Sequence, residues 1–222
     1  GMTEEEKWAL FYEMYPELIN FKFPAGILCD YAVYYAQNPQ TVGYIRIPGT
    51  VIDYPVVQAE NNKYYMTHDF YGKSTSYGAV FATYKNGWKP LDRNTLLYGH
   101  NMSDGTRFAN LLNYKNLDYY RENPIIEFDT LYEKNIWKIA AVYITNGSVE
   151  SDNGYFFDFT FNKRYYLFVG TFFLKGNFNV KNQIGVACAG HHPEIVNAQP
   201  LILDLGFDEP SVDLDDGGVQ GQ

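Results

Sequence analysis

The chain has 222 residues, of which 46% are hydrophobic and 18% aromatic, with two cysteines and a formal net charge of −9. That length suits one domain of ordinary size, or one domain with a helical appendage. The acidic balance argues against a nucleic-acid groove, two cysteines are too few for a disulfide framework, and no run of 18 or more apolar residues is present to span a membrane.

In chain order, residues 3–20 are expected to form a helix. Thr3 precedes Glu4, Glu5 and Glu6, an N-cap with an acidic first turn, and Trp8, Leu10, Phe11, Met14 and Tyr15 follow near helical spacing until Pro16. A second helix is expected from Pro24 to Ala36, with proline in its first turn. From residue 42 the period switches to alternation. Strands are expected at Val42–Ile47, Val51–Val57, Ala79–Thr83, Thr95–Tyr98, Ile125–Phe128 and Ile136–Thr145, with turns at Pro48-Gly49 and at Glu133-Lys134-Asn135. A short helix is expected at Thr106–Tyr114 and another at Arg164–Lys175, although Gly170 and its aromatic neighbours weaken a helix there. Gln183–Cys188 and Pro200–Leu205 complete the strands, and the acidic, Gly-rich stretch 208–222 reads as disordered. The 21 Tyr and 16 Phe fit a mainly β fold. Seven or eight short strands would close into a barrel, which removes exposed edges, with N-terminal helices and one helix before the last two strands. The expected divisions are an N-terminal helical segment 1–37, a barrel domain 38–207 and the tail 208–222.

The segment Tyr98-Gly99-His100-Asn101-Met102 places an imidazole at the rim of a sheet, between a β-type run and an expected helical opening over residues 103–108. Cys188 lies at the end of another apolar run. A cysteine and a distant histidine are the minimum equipment for thiol acyl transfer. Cys29 reads as a buried apolar residue, and Cys188 as that or as a nucleophile; a bond between them is a third alternative. His68 reads as a structural or groove-edge residue, His191 and His192 as loop residues, and Arg107 and Arg164 as surface residues. No third ligand stands near the paired histidines at metal-binding spacing.

Asn38–Gln58, His68–Lys73 with Tyr77-Gly78, and Leu97-Tyr98-Gly99-His100-Asn101-Met102-Ser103-Asp104-Gly105-Thr106-Arg107-Phe108 together resemble the class B sortases over residues 38–145. The resemblance implies a sortase-type closed β-barrel and a cysteine transpeptidase. Such an enzyme cuts a C-terminal sorting signal of a surface protein and joins the new carboxyl end to a cell-wall or pilin amine. Cys188 would supply the thiolate and His100 the acid and base, an imidazole being suited to both near neutral pH. The backbone N–H of Ala189 would help to hold the oxyanion, a contribution of about 3–4 kcal/mol in such enzymes. Asn62, Met66 and Asn101 are the candidate substrate-binding residues. The chemistry calls for no cofactor. The implied setting is the extracellular face of a Gram-positive membrane, reached through an N-terminal anchor outside this chain, with Gly1-Met2 read as a cloning remnant or truncation point. A monomer is expected. The Asn38-Pro39-Gln40-Thr41 string is similar to a sorting signal, but it precedes a strand and has no apolar tail or basic end behind it.

Two departures stand out. The family's cysteine follows a Thr-Leu-x-Thr run, whereas Ile184-Gly185-Val186-Ala187 precede Cys188 here. The family also carries an arginine about ten residues beyond the cysteine, and this chain has none after Arg164; Gln199 takes that position. Its amide can donate to an oxyanion but carries no charge. The departures leave an active or attenuated transpeptidase beside a second reading, a sortase-fold protein that binds peptides without turnover.

Overall fold

The computed structural model describes residues 1–92, 94–146, 165–173 and 183–190. Helix α1 spans Glu4–Met14 and starts with a full capping box. Glu6 N–H donates to Thr3 Oγ1 at 3.2 Å, and Thr3 N–H donates back to Glu6 Oε2 at 2.7 Å. The helix stops short of residue 20 because Pro16 opens a 3₁₀ turn, Pro16–Leu18. The helix expected over 24–36 is broken by Gly26, whose φ of +78° turns the chain. What remains is a 3₁₀ turn, Cys29–Tyr31, followed by the short helix α2, Ala32–Gln37. Phe11, Cys29 and Ala32 bury together beneath Trp8, Tyr15 and Phe23. This cluster is tied to the sheet by Leu28 N–H donating to Leu131 O at 2.7 Å and by the Tyr31 hydroxyl donating to Asp129.

The rest is a mainly β, strongly curled sheet. Its strands are β1 (Thr41–Arg46), β2 (Asp53–Val57), β3 (Val80–Ala82), β4 (Asn94–His100), β5 (Ile125–Thr130), β6 (Ile136–Asn146), β7 (Tyr165–Phe173) and β8 (Gln183–Gly190). They hydrogen-bond in the order β1-β2-β3-β4-β8-β7-β6-β5, and β5 returns to β1. The β2–β3 and β4–β8 pairs are parallel; the others are antiparallel. The enclosed core includes Ile45, Val56, Leu97, Phe108, Phe128, Trp137 and Ile139. Each such side chain contributes about 1.5–3 kcal/mol on burial. A second cluster, Val57, Tyr65, Ala79, Phe81 and Tyr98, lies on the other face of β2–β4. The alternation of β4 feeds both: Leu97 enters the first and Tyr98 the second.

Two further expectations need correction. The helix over 164–175, which was to cross before the last two strands, is strand β7, antiparallel to both β6 and β8. Tyr165-Tyr166-Leu167-Phe168-Val169 is aromatic and branched, a composition that suits a pleated surface better than a helix. The helical opening over 103–108 is a tight loop closed by a bridge between Asn101 and Arg107. Gly105 at φ +82° and Arg107 at φ +55° exclude a helix there, and helical winding starts only with the 3₁₀ segment Ala109–Lys115. A further helix, α3 (Leu117–Glu122), was not expected, although its signal is local: Asn116 Oδ1 accepts from Asp118 N–H at 2.8 Å as an N-cap. The strand expected at Pro200–Leu205 and the tail 208–222 lie outside the described residues.

Candidate active site

His100 is the last residue of β4 and is half-buried. Its Nε2 lies 2.8 Å from the Met66 carbonyl oxygen. A carbonyl can only accept, so this nitrogen carries the proton. Met66 ends the 3₁₀ turn Tyr64–Met66, and Ala79 N–H donates to Tyr65 O at 2.9 Å, which brings Gly78 back over that turn. Gly78 has φ +57°, and a Cβ there would come within 2.6 Å of Tyr65 O, 2.9 Å of Met66 O and 2.9 Å of His100 Cδ2. The imidazole therefore sits in a slot whose walls are a carbonyl oxygen and a bare glycine. Gly99 is similarly constrained from the core side, where a Cβ would press 2.7 Å from the Phe108 ring.

The loop after His100 is built to return quickly. Phe108 N–H donates to His100 O at 3.0 Å, and Asp104 Oδ1 accepts from both the N–H (3.0 Å) and the hydroxyl (2.7 Å) of Thr106. The Thr106 hydroxyl, followed by its N–H, holds the Asp104 carboxyl below its ordinary range. Arg107 is not the free surface residue expected from the sequence. Its Nε and Nη2 fork onto Gly78 O at 3.2 and 3.0 Å, and its guanidinium lies 5.3 Å from the Tyr54 ring centre. Its backbone N–H donates to Tyr54 Oη at 3.0 Å. A non-glycine residue in the left-handed region costs about 1–3 kcal/mol and persists where its surroundings over-determine it.

Of the other candidates, Cys188 lies on β8, and the parallel ladder pairs Gly99 with Cys188 and His100 with Ala189. From strand spacing and rise, the Cα atoms of His100 and Cys188 are about 6 Å apart. Asn62 has its side chain engaged: Nδ2 donates to Thr83 Oγ1 at 3.2 Å, and Oδ1 accepts from Tyr84 N–H at 3.0 Å. Met66 packs against the second cluster, and its carbonyl meets His100. Asn101 closes the loop opposite Arg107. Gln199, His191 and His192 lie outside the described residues. His68 is held by a 4.1 Å stack on Tyr64 and by donating from Nδ1 to Tyr64 O at 2.8 Å, a structural arrangement. The Asn38–Thr41 string is also structural. Asn38 Nδ2 donates to Tyr65 Oη at 2.9 Å and to Phe70 O at 2.7 Å, while Gln40 Oε1 accepts from Tyr65 Oη at 2.5 Å.

Cys29 is a free, buried thiol whose pKa is pushed up by burial and then by the charges of Glu4 and Asp30. Such a thiol is a poor nucleophile. Among the described residues no group of three or more His, Cys, Asp or Glu side chains is placed to hold a metal. No helix among them is long and apolar enough to cross a membrane. The sequence signals for Gly78 and Arg107 were present in the Tyr77-Gly78 and Gly105-Thr106-Arg107 motifs, but nothing local indicates that the two would meet.

A curled β sheet with a strand-end histidine next to a cysteine-bearing parallel strand defines a sortase-like arrangement, and comparison with known proteins bears on it directly. No protein-family model matches the chain. It is 37% identical over 85 residues to sortase B of Listeria monocytogenes, covering 38% of this chain and 35% of that protein. It is 36% identical over 84 residues to sortase B of Staphylococcus aureus, covering 38% of this chain and 34% of that one. The matched region thus spans about a third of the length of either curated relative. The solved Staphylococcus aureus sortase B–substrate complex superposes with a TM-score of 0.55 at 30% identity, over 70% of this chain and 69% of that one. The chain belongs to the class B sortases.

Proposed function

We propose that the protein is a sortase-type cysteine transpeptidase built on a closed eight-stranded barrel over residues 38–207. It cleaves a C-terminal sorting signal of a surface protein through a thioacyl-enzyme and passes the acyl group to a cell-wall or pilin amine. Cys188 gives its proton to His100 and attacks the scissile carbonyl. The imidazolium returns that proton to the departing amine, and the imidazole then takes one from the incoming amine. The Ala189 N–H and the Gln199 amide are the oxyanion donors, and the neutral amide in the place of the family arginine attenuates turnover. Asn62, Met66 and Asn101 line the peptide groove. The enzyme works at the outer face of a Gram-positive membrane, held there by an N-terminal anchor.

The observation that carries this reading is the β4–β8 ladder, in which Cys188 is the partner of Gly99 and the diagonal neighbour of His100. Residues on an ideal pleat alternate faces. The reading therefore calls for a departure from ideal pleating where that ladder ends. The solved sortase B–substrate complex of the Staphylococcus aureus relative supports a substrate-binding role.

A panel of fluorogenic sorting-signal peptides, with hydroxylamine or oligoglycine as acceptor, tests it. Acceptor-dependent turnover that vanishes in Cys188→Ala is the expected result. Peptide binding without turnover across the panel would contradict the enzyme and leave a binding protein.

A further inference from the structure

We infer that Arg107 is a positioning residue for His100: by clamping the Gly78 carbonyl it keeps Nε2–H on the Met66 carbonyl, so that Nδ1 is the nitrogen that moves the proton. This deepens the transpeptidase reading and rests on it.

Three contacts form a chain from the guanidinium to the imidazole. The Arg107 fork grips Gly78 O through Nε and Nη2 at 3.2 and 3.0 Å. A planar fork fixes both position and direction of the carbonyl it grips, which a single ammonium cannot do. Gly78 in turn is packed so closely on His100 Cδ2 and Met66 O that not even a methyl group fits between them. Met66 O accepts from Nε2 at 2.8 Å. If the Gly78 peptide moves, both walls of the slot move with it, and the imidazole loses its Nε2 partner.

Arg107 is held on its other sides as well. The Tyr54 ring lies against the guanidinium, Tyr54 Oη accepts from the Arg107 N–H, and the Asn101 bridge fixes the backbone one residue after the histidine. The clamp therefore joins β2, the turn at Met66, and the loop after β4. These are three of the described segments near the ring.

The proton traffic follows. Nε2–H stays on Met66 O throughout. The proton of the Cys188 thiol goes to Nδ1, leaving a thiolate and an imidazolium. As the thioester bond forms and the scissile C–N bond breaks, the Nδ1 proton leaves on the departing amine. The incoming amine then gives a proton to Nδ1 as its own C–N bond forms and the thiolate departs, and the thiolate recovers that proton from Nδ1.

The test combines ¹⁵N-histidine NMR with steady-state kinetics on the whole chain and its Arg107→Met and Arg107→Lys variants, each checked by thermal melting. With the imidazole neutral, the unsubstituted protein should give the Nε2–H tautomer at His100. R107M should give a mixture of tautomers and a kcat lower by about tenfold to a hundredfold with KM little changed. R107K should recover only part of the kcat, because its ammonium cannot fork. Should R107M melt below the assay temperature, the R107K comparison decides alone. An Nδ1–H tautomer in the unsubstituted protein would overturn the inference, as would a variant that keeps both the tautomer and the kcat. The tautomer is read without substrate. An Nε2–H signal together with no turnover on any peptide would therefore count against the transpeptidase reading and not against the clamp.

Discussion

Gly78 carries the tightest constraint around His100, because it approaches two carbonyl oxygens and the imidazole at once. Gly78→Ala must shift either the Tyr64–Met66 turn or the histidine, and kcat with hydroxylamine as acceptor is expected to fall by about a hundredfold or more. An alanine variant that retains its kcat would mean that the slot has no part in catalysis. The two cysteines offer a second residue-level test. Cys29 is buried with a raised pKa, so iodoacetamide added to the folded protein should label Cys188 and leave Cys29 untouched until denaturant is added. Mass spectrometry of the digested protein reads both sites. Labelling of Cys29 first would contradict the assignment of the nucleophile.

Helix α1 is attached to the turn at Cys29 through Glu4, whose carboxylate accepts from Cys29 N–H at 3.0 Å and pairs with Lys7 at 2.8 Å. The Cys29 N–H and then Lys7 hold the Glu4 carboxyl below its ordinary value. A depressed carboxyl pKa contributes stability above the unfolded-state value, and that contribution is lost as pH falls through the folded value. The melting temperature of Glu4→Gln should therefore fall below that of the parent at pH 7, with the gap closing on acidification. A gap that widened in acid would refute the attachment. This element was legible where its signals were local: Thr3 and the three glutamates announced the N-cap and first turn, and Pro16 the stop. Strand β7 was not legible. Its Tyr-Tyr-Leu-Phe-Val run has no polar partner to reveal a period of two, and what makes it a strand is pairing with β6 and β8, which are distant in sequence. The same holds at the site. The strand that ends in His100 was readable from Thr95–Tyr98, but the Arg107–Gly78 clamp depends on a loop 29 residues away folding back over β4.

At the scale of the whole molecule, curling brings β4 and β8 together in parallel although 82 residues separate the end of one from the start of the other, His100 and Gln183. On the proposed function, the net charge of −9 would draw a cationic acceptor amine toward the protein. Raising ionic strength should lower kcat/KM for a lysine-bearing acceptor more than for neutral hydroxylamine, because salt screens that attraction. Equal salt dependence for the two would show that steering plays no part. The most direct measurement is intact-mass spectrometry of the protein mixed with a sorting-signal peptide in the absence of an acceptor. A thioester-linked acyl adduct on Cys188, formed by the parent and absent from His100→Ala, is the result expected. No adduct at Cys188 with any peptide the protein binds, or an adduct that forms just as fast without His100, would contradict it.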